Sequence, residues 1–340
     1  MPGCGNGAAM AKPDTASARF VYSLNWMRFR YCIAPLVAAI CLFGQATITP
    51  RAKPGQPQQE EPVVLPKANI RVDANLVLVP VTVLDPLARM VTGLEAENFQ
   101  VFEGGIRQKV ISFGSEDSPL SIGIVLDTSG SMGAKLEISR QGVAEFFRSA
   151  NPEDEAFLVE FSDRPELVLP FTHNLGQIQD RILTARSKGN TALLDGVTLA
   201  IAAMKKASHP RKALLLLSDG GDNHSRYTAT EVKNRVKESD VQIYAMGIYS
   251  GGGDINDDPG LLTRLSESTG GRHFEVSLQD LVDVAAKIGI ELRNTYLLGY
   301  SPTNAARDGK YRSIVVKVNP PRGMPKLSAS WRRGYFAPTQ

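Results

Sequence analysis

Two apolar runs, Ser121-Ile-Gly-Ile-Val-Leu-Asp127 and Ala213-Leu-Leu-Leu-Leu-Ser-Asp219, constrain this chain more than any other feature. Both are nearly unbroken in hydrophobic residues, and both stop at an aspartate. Such a strand must be covered on both faces, because a half-wet strand would alternate apolar with polar residues. Helical spacing appears around these runs at 137–150, 178–185, 194–207, 231–238 and 278–294. Asp258-Pro259 reads as the N-cap and first residue of a further helix. Strands are expected at 156–161, 167–171 and 241–248. Buried strands alternating with helices specify an α/β fold with a doubly wound, mostly parallel sheet.

The flanks read differently. Residues 75–85 are dense in β-branched side chains, with Pro80 marking an edge or bulge. Residues 98–105 form a short strand running into a Gly-Gly turn, and 107–113 another strand. Beyond Asn294 the β pattern returns at 296–300, 311–318 and 327–331. The expected organisation is an N-terminal β segment (70–117), an α/β unit (118–294) and a C-terminal β segment (295–340). The two β segments are expected to pack as a small sandwich, with the α/β unit inserted between them.

The leading residues carry a targeting pattern. Met27-Arg28-Phe29-Arg30 is basic, Tyr31 to Phe43 is mostly apolar, and Gly44-Gln45-Ala46 offers small residues for cleavage. Residues 1–46 therefore read as a signal peptide or leader, with Met27 an alternative start. Residues 47–69, rich in Pro, Gln and Glu, read as a flexible linker. Cys4, Cys32 and Cys41 all precede residue 47. Cleavage after Ala46 leaves no thiol and no membrane span, which suits an oxidising exterior. A secreted, periplasmic or cell-envelope protein is the expectation. With 43% hydrophobic and 21% charged residues the chain is globular, and its net charge of +3, spread along the sequence, gives no electrostatic basis for binding nucleic acid.

Ligands of open parallel sheets sit beyond the carboxyl ends of strands where the strand order reverses. If the two apolar strands are neighbours there, Asp127, Ser129, Ser131, Thr191 and Asp219 can converge. These are two carboxylates and three hydroxyls, all hard oxygen donors, with no His or Cys to favour zinc or copper. Mg²⁺, which keeps several waters and uses one or two carboxylates, fits better than a Ca²⁺ cage, with Ca²⁺ and Mn²⁺ as alternatives. A carboxylate from a partner would complete the shell.

Asp-x-Ser-x-Ser at the end of a buried strand, Thr191 before a helix and Ser218-Asp219-Gly220 ending a later strand resemble the metal-ion-dependent adhesion site of von Willebrand factor type A domains. The resemblance spans about residues 118–294. It implies that Asp127, Ser129, Ser131, Thr191 and Asp219 hold the metal, some through water. It also implies that the protein binds a protein partner through an acidic side chain and is not an enzyme. A narrower resemblance, to secreted "VWFA-related" proteins of acidobacteria, rests on Asn98-Phe-Gln-Val-Phe-Glu-Gly-Gly105, Tyr296-Leu-Leu-Gly-Tyr-Ser-Pro302 and Gly334-Tyr-Phe-Ala-Pro338.

Two competing readings use the same residues or their neighbours. Ser131 lies in Ser-Gly-Ser-Met-Gly, a near miss to a nucleophile elbow, and a hydrolase triad can be drawn with Asp219 and His273. Asp127 directly before that loop argues against it. Asp254-Ile-Asn-Asp-Asp258 suggests a calcium loop but lacks the glycine and the distal glutamate that such loops need.

Overall fold

The computed structural model describes residues 76–115, 117–249 and 259–339. The leader, the linker, the three cysteines, the acidic 254–258 loop and the Asp258 N-cap lie outside the described residues.

The chain begins with four strands, β1 (Val77–Leu84), β2 (Phe99–Glu103), β3 (Ile106–Gln108) and β4 (Val110–Gly114). The expected single strand over 107–113 is thus two strands, which belong to different sheets. Gly104 and Gly105 both take positive φ (54° and 84°) and close the β2–β3 hairpin, a conformation that L-residues resist.

The α/β unit follows: β5 (Leu120–Asp127), α1 (Leu136–Phe147), β6 (Glu155–Phe161), β7 (Pro165–Thr172), α2 (Leu175–Thr184) and α3 (Leu193–Met204). Then come β8 (Arg211–Ser218), α4 (Ala229–Glu238), β9 (Gln242–Ile248), α5 (Pro259–Glu267), β10 (His273–Val276) and α6 (Leu281–Arg293). The sheet order is β10-β9-β8-β5-β6-β7, parallel throughout except for the β6–β7 pair. Four-residue β10 was not legible from its sequence.

The unbroken apolar runs now have a cause. Along β5, Ile122, Ile124 and Leu126 face α1, α2 and α6, whereas Val125 faces α3, α4 and α5. In β8, Leu215 and Leu217 join the first layer, and Leu214 and Leu216 the second. Successive side chains on a strand point to opposite faces, so two covering layers demand apolar residues at every position.

The chain ends with β11 (Tyr296–Tyr300), β12 (Tyr311–Val318), β13 (Ser328–Trp331) and β14 (Gly334–Phe336). Two antiparallel sheets, β13-β1-β11-β4 and β14-β12-β2-β3, draw strands from both ends of the described chain. They share one core, in which Val79, Val81, Val83, Tyr296 and Leu298 meet Phe99, Val101, Ile314 and Val316. Pro80 lies just beyond the four-residue stretch paired with β13, so its missing N–H breaks no ladder on that side. Gly114 on β4 sits opposite Leu297 on β11, so the chain leaves the sandwich and returns to it at adjacent points.

A buried carboxylate ties the sandwich together. Glu103 Oε2 accepts hydrogen bonds from Tyr300 Oη (2.7 Å) and Tyr335 Oη (2.9 Å). One residue from each flank motif therefore meets at one oxygen. Burial and the neighbouring carboxylate raise the pKa of both phenols, which keeps them as donors. Replacing Glu103 with Ala strands both donors, and the protein should lose about 2–4 kcal/mol of stability in urea unfolding.

Candidate metal centre

The pairing of β5 with β8 builds the site. Leu126 stands opposite Leu217, which brings the ends of the two strands side by side. From β5 the chain passes to β6 on one flank, and β8 lies on the other. The ends of β5 and β8 are thus a topological switch point, the place where open parallel sheets commonly bind ligands.

Asp127 is fully buried at the end of β5. Its Oδ1 accepts from Ser129 N at 2.8 Å and its Oδ2 from Ser218 Oγ at 2.6 Å. Both donors are neutral. Burial is the main cause that pushes its carboxyl up to about 6; the two serines oppose the shift, and the charge of Asp219 adds to it. This is a buried anion beside another anion, with no cation among its hydrogen-bonding partners.

A short 3₁₀ turn, Gly130–Met132, carries the Ser131 hydroxyl, and Ser129 is its N-cap residue. Met132 is fully buried in the core beneath and anchors the turn. Ser129 Oγ and Ser131 Oγ lie 3.1 Å apart, Ser129 buried and Ser131 exposed. Gly130 is the point where this turn meets the loop before α3 closely. Its N–H donates to Gly189 O at 3.0 Å, and a Cβ there would stand 3.3 Å from that same oxygen.

Thr191 is brought in by its backbone. Gly189, with φ of 76°, turns the chain against the Asp163 carboxylate, which accepts from Asn190 N at 2.8 Å. Lys188 N bonds Thr128 O (2.8 Å), joining this loop to the end of β5. Asn223 Oδ1 accepts from Thr191 N (2.9 Å), and Asn223 N and His224 N donate to Thr191 O. Asp222 Oδ1 caps α3 by accepting from Leu193 N (3.1 Å). Asp195 accepts from Arg226 N and Tyr227 N and supports the same loop from below.

Asp219 follows β8 and is buried. Its Oδ2 is 3.1 Å from Lys135 Nζ, an ion pair with both side chains less than one-tenth exposed. Lys135 did not stand out in the sequence, and Ser218 did so only as part of the Ser-Asp-Gly motif, not as a partner of Asp127. Ser218 was legible as the residue before Asp219; Lys135 had only its place four residues after Ser131 as a signal.

No three His, Cys, Asp or Glu side chains gather into a metal-binding group among the described residues. A cation here would rest on two carboxylates, hydroxyls and water. That donor set fits a hard, water-retaining divalent ion, and Asp127 as a buried carboxylate without a counter-charge fits it too. The hydrolase arrangement is not assembled. Ser131 Oγ meets Ser129 Oγ, while His273 lies on β10 and bonds Thr263 Oγ1 through Nδ1 (2.9 Å). Three strand spacings separate β10 from β5, roughly 14 Å across the sheet.

Comparison with known proteins gives a consistent picture of the central unit. Residues 122–221 match the family model of the von Willebrand factor type A domain. An uncharacterised protein of Borreliella burgdorferi is 27% identical over 181 residues, covering 45% of this chain and 53% of that protein. Mouse inter-alpha-trypsin inhibitor heavy chain 4 is 26% identical over 167 residues, 43% of this chain and 18% of that one. The matches thus span about half of the first relative and less than a fifth of the second. Among solved structures, a von Willebrand factor type A protein from Catenulispora acidiphila aligns with TM-score 0.46 at 11% identity, covering 77% of this chain and 72% of that chain. The vWF domain of the type V pili tip protein Mfa5 from Porphyromonas gingivalis aligns with TM-score 0.43 at 14% identity, covering 51% and 94%.

The electrostatics of Asp127 make a pH-dependent prediction. Its folded pKa of about 6 lies above the usual unfolded carboxylate value of about 3.9. The folded state therefore holds the proton more tightly. Stability falls as pH rises from about 4 through 6, by at most roughly 3 kcal/mol. Asp127→Asn, which has no charge to desolvate, should melt higher than the parent protein in EDTA at pH 7.5. The gap should close towards pH 4 in thermal scans.

Proposed function

We propose that the von Willebrand factor type A domain carried over residues 122–221 is a metal-dependent protein-binding module. In this reading Asp127, Ser129, Ser131, Thr191 and Asp219 hold Mg²⁺, directly or through water, with Ca²⁺ or Mn²⁺ as alternatives. The observation that carries it is the buried Asp127 carboxylate, set beside Asp219 and the paired serine hydroxyls with only neutral donors of its own. Bound there, the ion would offer an electrophilic position to a carboxylate oxygen of a partner. The chain's own contribution is to hold five oxygen-bearing side chains on three loops fixed by backbone hydrogen bonds. In this reading Ser131 is a ligand rather than a nucleophile: its Oγ bonds Ser129 Oγ, and His273, the imidazole of the alternative triad, bonds Thr263 on another part of the sheet. A binding role outside the cytoplasm, secreted or at the envelope, follows from the leader pattern at 1–46. Among the described residues no helix is long and apolar enough to cross a membrane.

Two measurements test this. Mg²⁺ at about 100 times its Kd should stabilise the protein by about 2.7 kcal/mol, and EDTA should reverse the gain. Asp127→Ala should keep the fold by circular dichroism yet lose Mg²⁺ binding in calorimetry and Mg²⁺-dependent capture of partners from envelope extracts. Unchanged Mg²⁺ affinity in that variant would refute the site assignment. Ester or peptide hydrolysis that survives EDTA and disappears in Ser131→Ala would favour the hydrolase instead.

A further inference from the structure

The ion pair between Lys135 and Asp219 sits inside the candidate metal centre, and the proposed function does not use it. Lys135 belongs to the loop that carries Ser129 and Ser131, one residue before α1. Its backbone is fixed at both groups: N donates to Met132 O (2.9 Å), and O accepts from Ser139 N (3.0 Å) and Ser139 Oγ (2.8 Å). Its ammonium reaches Asp219 Oδ2 at 3.1 Å, where the lysine side chain is 8% exposed and the aspartate 4%. A surface lysine would sample many rotamers and contribute little. This one is sequestered against the one site carboxylate that it neutralises, while Asp127 has only neutral donors.

We infer that Lys135 is a built-in counter-cation that shares Asp219 with the divalent ion. It keeps the metal-free centre assembled and lowers its affinity for metal. The inference rests on the metal reading above. Its physical basis is that two buried carboxylates side by side repel each other and lose their hydration, and a fixed ammonium offsets both penalties before any ion arrives. The same charge then opposes an incoming dication through the poorly screened interior. Removing it should trade stability of the metal-free protein for metal affinity.

The test is calorimetric titration of Mg²⁺ into the EDTA-stripped full chain, paired with melting curves in EDTA. Lys135→Met should bind Mg²⁺ at least tenfold more tightly than the parent protein and melt lower in EDTA. Lys135→Arg, which keeps the charge, should bind like the parent. If Lys135→Met does not fold, Lys135→Gln, which can still donate to Asp219 without a charge, should show the same tightening relative to Lys135→Arg. Unchanged or weaker Mg²⁺ affinity in the folded neutral variants overturns the inference. The Asp127→Ala control separates the two failures. If the parent binds Mg²⁺ and Asp127→Ala does not, the metal reading stands whatever Lys135 does. If neither the parent nor the neutral variants bind, both readings fall.

Discussion

A buried negative charge at the end of a central strand is the constraint around which the α/β unit is organised. Asp127 ends β5 where the sheet is covered on both faces, so it cannot be hydrated as a surface carboxylate would be. Its surroundings answer that cost locally. Ser129 N and Ser218 Oγ each donate to one of its oxygens, and the Ser218 bond also fixes β8 against β5 at their ends. The loop after β5 is in turn bound to the 188–191 loop through Gly130–Gly189 and Lys188–Thr128. Asn223, on the loop after β8, holds Thr191. Three loops from different parts of the chain are thereby locked to one another mostly by main-chain bonds.

The same economy explains why the centre has few acids. A cage of many carboxylates would repel itself when empty and would need a large ion to hold it together. Two carboxylates with hydroxyls can persist without an ion, especially with an ammonium against Asp219. In the metal-binding reading proposed above, such a site would be assembled before an ion arrives, the condition under which ordering cost on binding is lowest.

The sandwich depends on a different buried charge. Glu103 receives two phenol donors, one from β11 and one from β14, so strands far apart in sequence meet at one carboxylate. Because β1 pairs with β11 and β13, and β2 with β12, neither flank can form its sheet without the other. The adjacency of Gly114 and Leu297 lets the large α/β unit leave and rejoin this frame at neighbouring points, where an insertion disturbs the sheets least.

The sequence by itself determined the fold class and the central strands, because two helical layers leave β5 and β8 no solvent face and so no polar positions. It also showed Asp127 and Asp219 as the polar stops of two apolar strands, because a buried run ends where its covering layers end; the grouping of Ser129, Ser131 and Thr191 with them came from a motif resemblance. The flank motifs were visible as patterns, but their reason, Tyr300 and Tyr335 meeting Glu103, needed three-dimensional proximity. Short edge elements escaped: β10 has four residues, too few for a period to show, and the 106–114 stretch changes sheets at Lys109, which composition does not signal. Above all, only the tertiary structure decided what each buried charge meets. Nothing in the run from Ser131 to Leu136 tells that Lys135 turns inward to Asp219, because that contact joins residues 84 positions apart and exists only once β5 and β8 lie side by side.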